Sequence, residues 1–177
     1  MTTYIGAPDA DDPVAALFEK HRGPLLAYLT RLVGNWTDAE DLCQETFVKV
    51  VRHWDEHGPH SSVTGWLYRI ATTTAYDYIR REQRKLYAPL WSAEHFSGAS
   101  ERIDWWAEVG EPVQEILIQM SYPERTSLLL HACAGFSIAD IAKMFDCSSD
   151  AAKMRLYRAR MRFRQLYLAR PDVIRDG

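Results

Sequence analysis

The sequence predicts an all-α chain of two small helical domains, over residues 13–85 and 112–170, joined by a flexible linker over 86–111. Three observations carry this. Apolar residues recur at helical spacing nearly throughout, without the alternation of a half-buried strand and without an internal repeat. That periodicity fails between Leu86 and Gly110, where Pro89, Gly98, serines and acids interrupt it. It returns at Pro112. A chain of 177 residues has room for one medium domain or two small ones.

The elements follow in order. A first helix is predicted over Pro13 to Val33, ended by Gly34-Asn35. A second starts at Thr37, where Thr37 and Glu40 have the spacing of a capping box and Asp38 suits the positive end of the helix dipole. Phe47, Val50, Val51 and Trp54 mark its buried face. His57 to Ser62 is a loop, and a third long helix runs from Val63 to Lys85. The linker carries Tyr87, Trp91, Phe96, Trp105 and Trp106, too aromatic for plain disordered chain, so part of it is expected to pack. Four helices follow, over about 112–120, 123–134, 137–145 and 148–168, with Pro123 in a first turn, Gly135 as a stop and Ser137 as an N-cap.

Bulk properties exclude several classes. No run of 18 apolar residues exists, so no membrane span is expected. The polar, acidic segment Met1 to Asp12 lacks the features of a secretory signal, and Cys43, Cys133 and Cys147 form no CxxC pair; together they point to a cytoplasmic chain with buried or half-buried thiols. His53, His57 and His60 cluster near a loop, but no cysteine or carboxylate set completes a metal site, so they are expected to be solvated and no cofactor is expected. No phosphate-binding glycine loop or nucleophile motif appears.

The net charge is −3, yet its distribution is uneven. From Cys147 to Arg170 there are seven basic residues against Asp150 alone, whereas Glu94, Glu101, Asp104, Glu108 and Glu111 face only Arg102 in the linker. Screening makes local sign matter more than the total. In the basic stretch, Ile138, Ile141, Ala142 and Phe145 fall on one face of a short helix, and Asp146-Cys147-Ser148 forms a tight turn. Ala152, Leu156, Ala159 and Phe163 then form the apolar stripe of a second helix. This is a helix-turn-helix: two small stripes on either side of a short turn let the helices cross closely. The outward face of the second helix carries Lys153, Tyr157, Arg160 and Arg164, flanked by Arg155, Arg158 and Arg162, and suits a DNA major groove. A solvated basic helix on an ordinary bundle is the plain alternative.

Two sets of residues together resemble the sigma-70 family of RNA polymerase sigma factors. Tyr122-Pro123-Glu124-Arg125, Gly135-Phe136-Ser137-Ile138-Ala139-Asp140-Ile141-Ala142 and Lys153-Met154-Arg155-Leu156-Tyr157-Arg158-Ala159-Arg160 resemble region 4. Asp38-Ala39-Glu40-Asp41-Leu42-Cys43-Gln44-Glu45-Thr46-Phe47 and Trp66-Leu67-Tyr68-Arg69-Ile70-Ala71 resemble region 2. With no counterpart of region 3 between them, the layout is similar to the extracytoplasmic-function (ECF) group, over about Ala15 to Leu168. Two departures stand out: Asp150-Ala151-Ala152 replaces the usual Gly-Thr-Val before Lys153, and Thr73 stands where asparagine is common.

The resemblance implies a non-enzymatic subunit that directs polymerase to promoters. Asp38, Glu40, Asp41, Gln44 and Glu45 would dock on the clamp of the largest subunit, where acidic groups steer association; a solvated acidic helix start is the alternative. Trp66, Arg69, Thr73, Tyr76, Arg80, Arg81 and Arg84, with the loop from Gly58 to Thr64, would capture the melted −10 strand, since aromatics stack bases and guanidiniums track phosphates. Trp66 is equally well explained as core. Ser149, Lys153, Met154, Arg155, Tyr157, Arg158 and Arg160 would contact the −35 duplex. Expected partners are promoter DNA, the clamp, the flap of the second-largest subunit and an anti-sigma factor, with the acidic linker running near the RNA exit path. An autonomous helix-turn-helix repressor would leave the motif from Asp38 to Phe47 unexplained, and a hydrolase lacks a reactive set.

Overall fold

The computed structural model describes residues 13–57, 62–86 and 106–170, with side chains described except at residues 57, 84–86 and 106–111. Eight helices occupy them: α1 (Pro13–Val33), α2 (Trp36–Arg52), α3 (Trp54–His57), α4 (Val63–Leu86), α5 (Trp106–Gln119), α6 (Tyr122–Ala132), α7 (Ile138–Met144) and α8 (Ser149–Leu168). No strand occurs among the described residues. The segment Met1 to Asp12, the loop residues 58–61, and 87–105 of the linker lie outside the described residues.

Several boundaries differ from the sequence reading. α2 begins at Trp36, and its cap is Asn35, whose extended backbone lets the side-chain oxygen accept from Asp38 N at 3.2 Å. The Thr37–Glu40 capping box is therefore displaced, because both residues already lie within the first turns. α2 stops at Arg52 and Trp54 opens the separate helix α3, so the apolar stripe does not continue in register. Val51, expected to be buried, is 60% exposed. α5 starts at Trp106, inside the expected linker, and Pro112 lies within the helix instead of opening it. Cys133, at the C-cap of α6, is exposed, while Cys43 is buried and Cys147 half-buried.

α1, α2 and α4 pack into an N-terminal bundle, with Leu25, Leu29, Leu32, Val50 and Leu67 fully buried at its centre. Each such side chain stabilises by about 1.5–3 kcal/mol relative to exposure. Phe18 packs edge-on to Phe47 with ring centroids 4.8 Å apart, fixing α1 against α2. Thr72 ties α1 to α4: its hydroxyl donates to Tyr68 O at 2.7 Å and accepts from Tyr28 Oη at 2.8 Å.

The C-terminal group is built on α8, which packs against α5, α6 and α7. Gly135, at φ 75°, takes the left-handed turn after α6 that returns Phe136 N to Leu130 O at 3.0 Å. The two groups share one apolar core, because α1 also packs against α5 and α6, and α4 against α7. Phe136 sits edge-on to Tyr68 across this seam, with centroids 5.1 Å apart.

Candidate nucleic-acid interface

The helix-turn-helix forms as its residues dictate. Ser137 caps α7, accepting from Asp140 N at 3.1 Å, while Asp140 accepts from Ser137 N and Oγ at 3.1 and 2.6 Å. Those bonds hold the Asp140 carboxyl below its ordinary value, the Ser137 hydroxyl contributing most. Asp146 takes φ 49° in the turn, a conformation aspartate tolerates better than most residues. Ser148 then caps α8 through Ala151 N at 3.1 Å. Ala152, Leu156 and Ala159 are buried under α8, which allows close approach to α6 and α7. Burying that stripe turns the opposite face outward: Ser149, Lys153, Met154, Tyr157, Arg158 and Arg160 are exposed and Arg155 is half-buried. Asp150 is exposed in the first turn of the same helix.

On α4, the buried side is Leu67, Ala71 and Thr74, with Val63, Ile70 and Tyr78 half-buried. Arg69, Thr73, Tyr76, Arg80 and Arg81 are exposed on the other side; the Arg84 side chain lies outside the described ones. Trp66 is half-buried beside Trp54, at 6.3 Å between ring centroids, so it is partly core. Thr73 turns its hydroxyl back onto the helix, donating to Ile70 O at 2.9 Å and Arg69 O at 3.1 Å. Tyr76 keeps 47% of its surface exposed, with Tyr122 against its ring at 5.2 Å.

On α2, Asp41, Gln44 and Glu45 are exposed, and Asp38 and Glu40 are half-buried. Asp38 is partly engaged within the chain: burial, then its hydrogen bond with the Tyr78 hydroxyl, keeps that phenol protonated far above the ordinary range. Glu45 pairs with Lys49 at 2.9 Å, and Lys49 also donates to Thr74 Oγ1 at 2.9 Å. Glu45 and Asp77 line an open groove with Arg80 and Arg81, so the α2 acids and the α4 arginines meet at one edge. His53 lies 3.3 Å from Glu56, and no group of three or more possible metal ligands occurs among the described residues.

This chain matches the family models for Sigma-70 region 2 over residues 17–85 and Sigma-70, region 4 over residues 110–163. It is 30% identical over 152 residues to the RNA polymerase sigma-H factor of Pseudomonas aeruginosa, covering 80% of this chain and 79% of that one. The chain belongs to the sigma-70 family, in its ECF group. The sigma factor is also 30% identical to the ECF RNA polymerase sigma factor SigE of Mycolicibacterium smegmatis, over 87% of its own length and 61% of that relative. Its fold is similar to that of the sigma factor RpoE in complex with the anti-sigma factor NepR from Bartonella quintana, at a TM-score of 0.69 and 23% identity, covering 88% and 96% of the two chains. As a family member, the sigma factor serves RNA polymerase in promoter-specific transcription initiation, and its region 4 binds DNA. No helix among its described residues is long and apolar enough to cross a membrane.

Two residues of the sigma factor's α2 surface escaped the sequence reading. Val48 and Val51 are 49% and 60% exposed and extend the acidic face with an apolar end. Val51 had a buried-face pattern because helical spacing alone does not say where the packed partner ends.

Proposed function

We propose that the sigma factor reads a promoter at two places, with region 4 on the −35 duplex and region 2 on the melted −10 strand. The observation that carries this is the coexistence in one chain of an exposed basic face on α8 and an exposed arginine–tyrosine face on α4. On α8, Lys153, Arg158 and Arg160 serve phosphates, while Ser149, Met154 and Tyr157 lie toward the base edges with Arg155 beside them. On α4, Tyr76 supplies a ring for a base, and Arg69, Arg80 and Arg81 follow the backbone. Asp41, Gln44 and Glu45, with Val48 and Val51, dock on the polymerase clamp, and region 4 meets the flap. Held on the polymerase, two weak sites act together through high effective concentration. The chain itself performs no catalysis, works in the cytoplasm and is held inactive by an anti-sigma factor. Run-off transcription with core polymerase on a library of genomic fragments tests the reading. Discrete transcripts that require both proteins support it, and the absence of any such transcript refutes it.

A further inference from the structure

The seam between the two helical groups is polar as well as apolar, and three hydrogen bonds described across it run in one direction. Three side chains of α5 and α6 reach main-chain carbonyls of the N-terminal group. Gln114 Nε2 donates to Arg31 O at 3.1 Å, Arg125 Nη1 to Leu32 O at 2.6 Å, and Tyr122 Oη to Thr72 O at 2.6 Å. Arg31 and Leu32 lie in the last turn of α1, where carbonyls lack partners within the helix and a cation is favourable. Arg125 also gathers Ile118 O and Met120 O, at 2.8 and 3.1 Å. Gly34, at φ 84°, completes the fit, because a Cβ there would collide with Ile118.

The same seam is incompletely satisfied. Two buried polar atoms of these side chains, Gln114 Oε1 and Arg125 Nε, have no hydrogen-bond partner among the described residues. Both belong to side chains that make the seam. Such atoms are rare in permanent cores, and parting the two groups would take the α1 carbonyls away from both side chains. Burial also works against the charge of the Arg125 guanidinium. The acceptors are carbonyls, which water serves nearly as well. Meanwhile Tyr122, held by its bond to Thr72, lies against the Tyr76 ring on the exposed side of α4.

We propose that Gln114, Tyr122 and Arg125 form a releasable latch that closes region 4 onto region 2, and that closure competes with single-stranded nucleic acid for Tyr76. The second clause rests on the strand-capture reading of α4; the latch does not. The full chain, with dyes on click-reactive residues replacing Arg52 and Lys143, reports closure by single-molecule energy transfer. Arg125→Ala, and separately Gln114→Ala with Tyr122→Phe, should raise the ratio of open to closed molecules about tenfold, the change expected from losing roughly one charged hydrogen bond or two neutral ones. Circular dichroism establishes that each variant is folded, and the milder double variant decides if Arg125→Ala is not. An unchanged transfer distribution in a folded variant overturns the latch. Anisotropy with labelled oligothymidylate then tests competition: opened variants should bind several-fold more tightly, and adding Tyr76→Ala should abolish the gain. Opening without tighter binding overturns the competition and counts against strand capture on α4, while the latch stands.

Discussion

Thr72→Val and Tyr28→Phe remove opposite ends of one buried hydrogen bond, and the structure makes their costs unequal. Tyr28 and Thr72 are 1% and 2% exposed. The Thr72 hydroxyl hydrogen is directed at Tyr68 O, so in the 2.8 Å contact between the two side chains Tyr28 is the donor. Burial also keeps the Tyr28 phenol protonated well above its usual range. Tyr28→Phe deletes the donor and leaves the Thr72 hydroxyl still donating, so its cost is the net worth of one hydrogen bond, about 1 kcal/mol. Thr72→Val keeps the volume but strands the Tyr28 O–H in the core, and this should cost about 2–3 kcal/mol. The double variant strands nothing and should be less destabilised than Thr72→Val alone, giving a coupling of at least about 1 kcal/mol. Urea unfolding followed by far-UV circular dichroism measures all three. A Thr72→Val cost no larger than that of Tyr28→Phe, or additivity within about 0.5 kcal/mol, would refute the donor assignment.

Further outcomes are expected in the same terms. Ser137→Ala removes the cap of α7 and should lower stability by about 1 kcal/mol in the same assay; Asp140→Asn should destabilise at neutral pH, and because the folded-state carboxyl titrates below its unfolded value, that deficit should fade as pH falls below about 4. Cys133 should react promptly with a maleimide while Cys43, buried and with its thiol pushed up to about 11, reacts only on unfolding, as mass spectrometry of the labelled peptides would show. Asp41→Lys with Glu45→Lys should weaken binding to core polymerase most at low salt, and equal affinities across a salt titration would count against docking through α2. Tyr76→Ala and Arg80→Ala should impair promoter opening more than initial binding, so normal permanganate reactivity of bubble thymines would contradict the α4 assignment.

Much of the fold is legible because it is local. The span of α1, the Ser137 cap and the stripe of Ala152, Leu156 and Ala159 are set by spacing within a few turns, and the structure places them as expected. The start of α2 was misplaced because two neighbouring residues compete for the cap, and the extended backbone at Asn35 decides between them. The exposed faces of α4 and α8 were legible as the complements of buried stripes. Arg125 and Gln114 were not, since their acceptors lie 93 and 83 residues away and are carbonyls that no side-chain pattern marks.

That choice of acceptors has a consequence for how the chain can change. Replacing the side chain of Arg31, Leu32 or Thr72 leaves its carbonyl in position as long as the helix persists. Substitutions in the N-terminal half therefore have little leverage over these three bonds. A single substitution at Gln114, Tyr122 or Arg125 removes one outright. The side-chain identity on which those three bonds depend is thus carried by the C-terminal half, while the N-terminal half contributes to the same seam through its apolar packing and the close fit at Gly34.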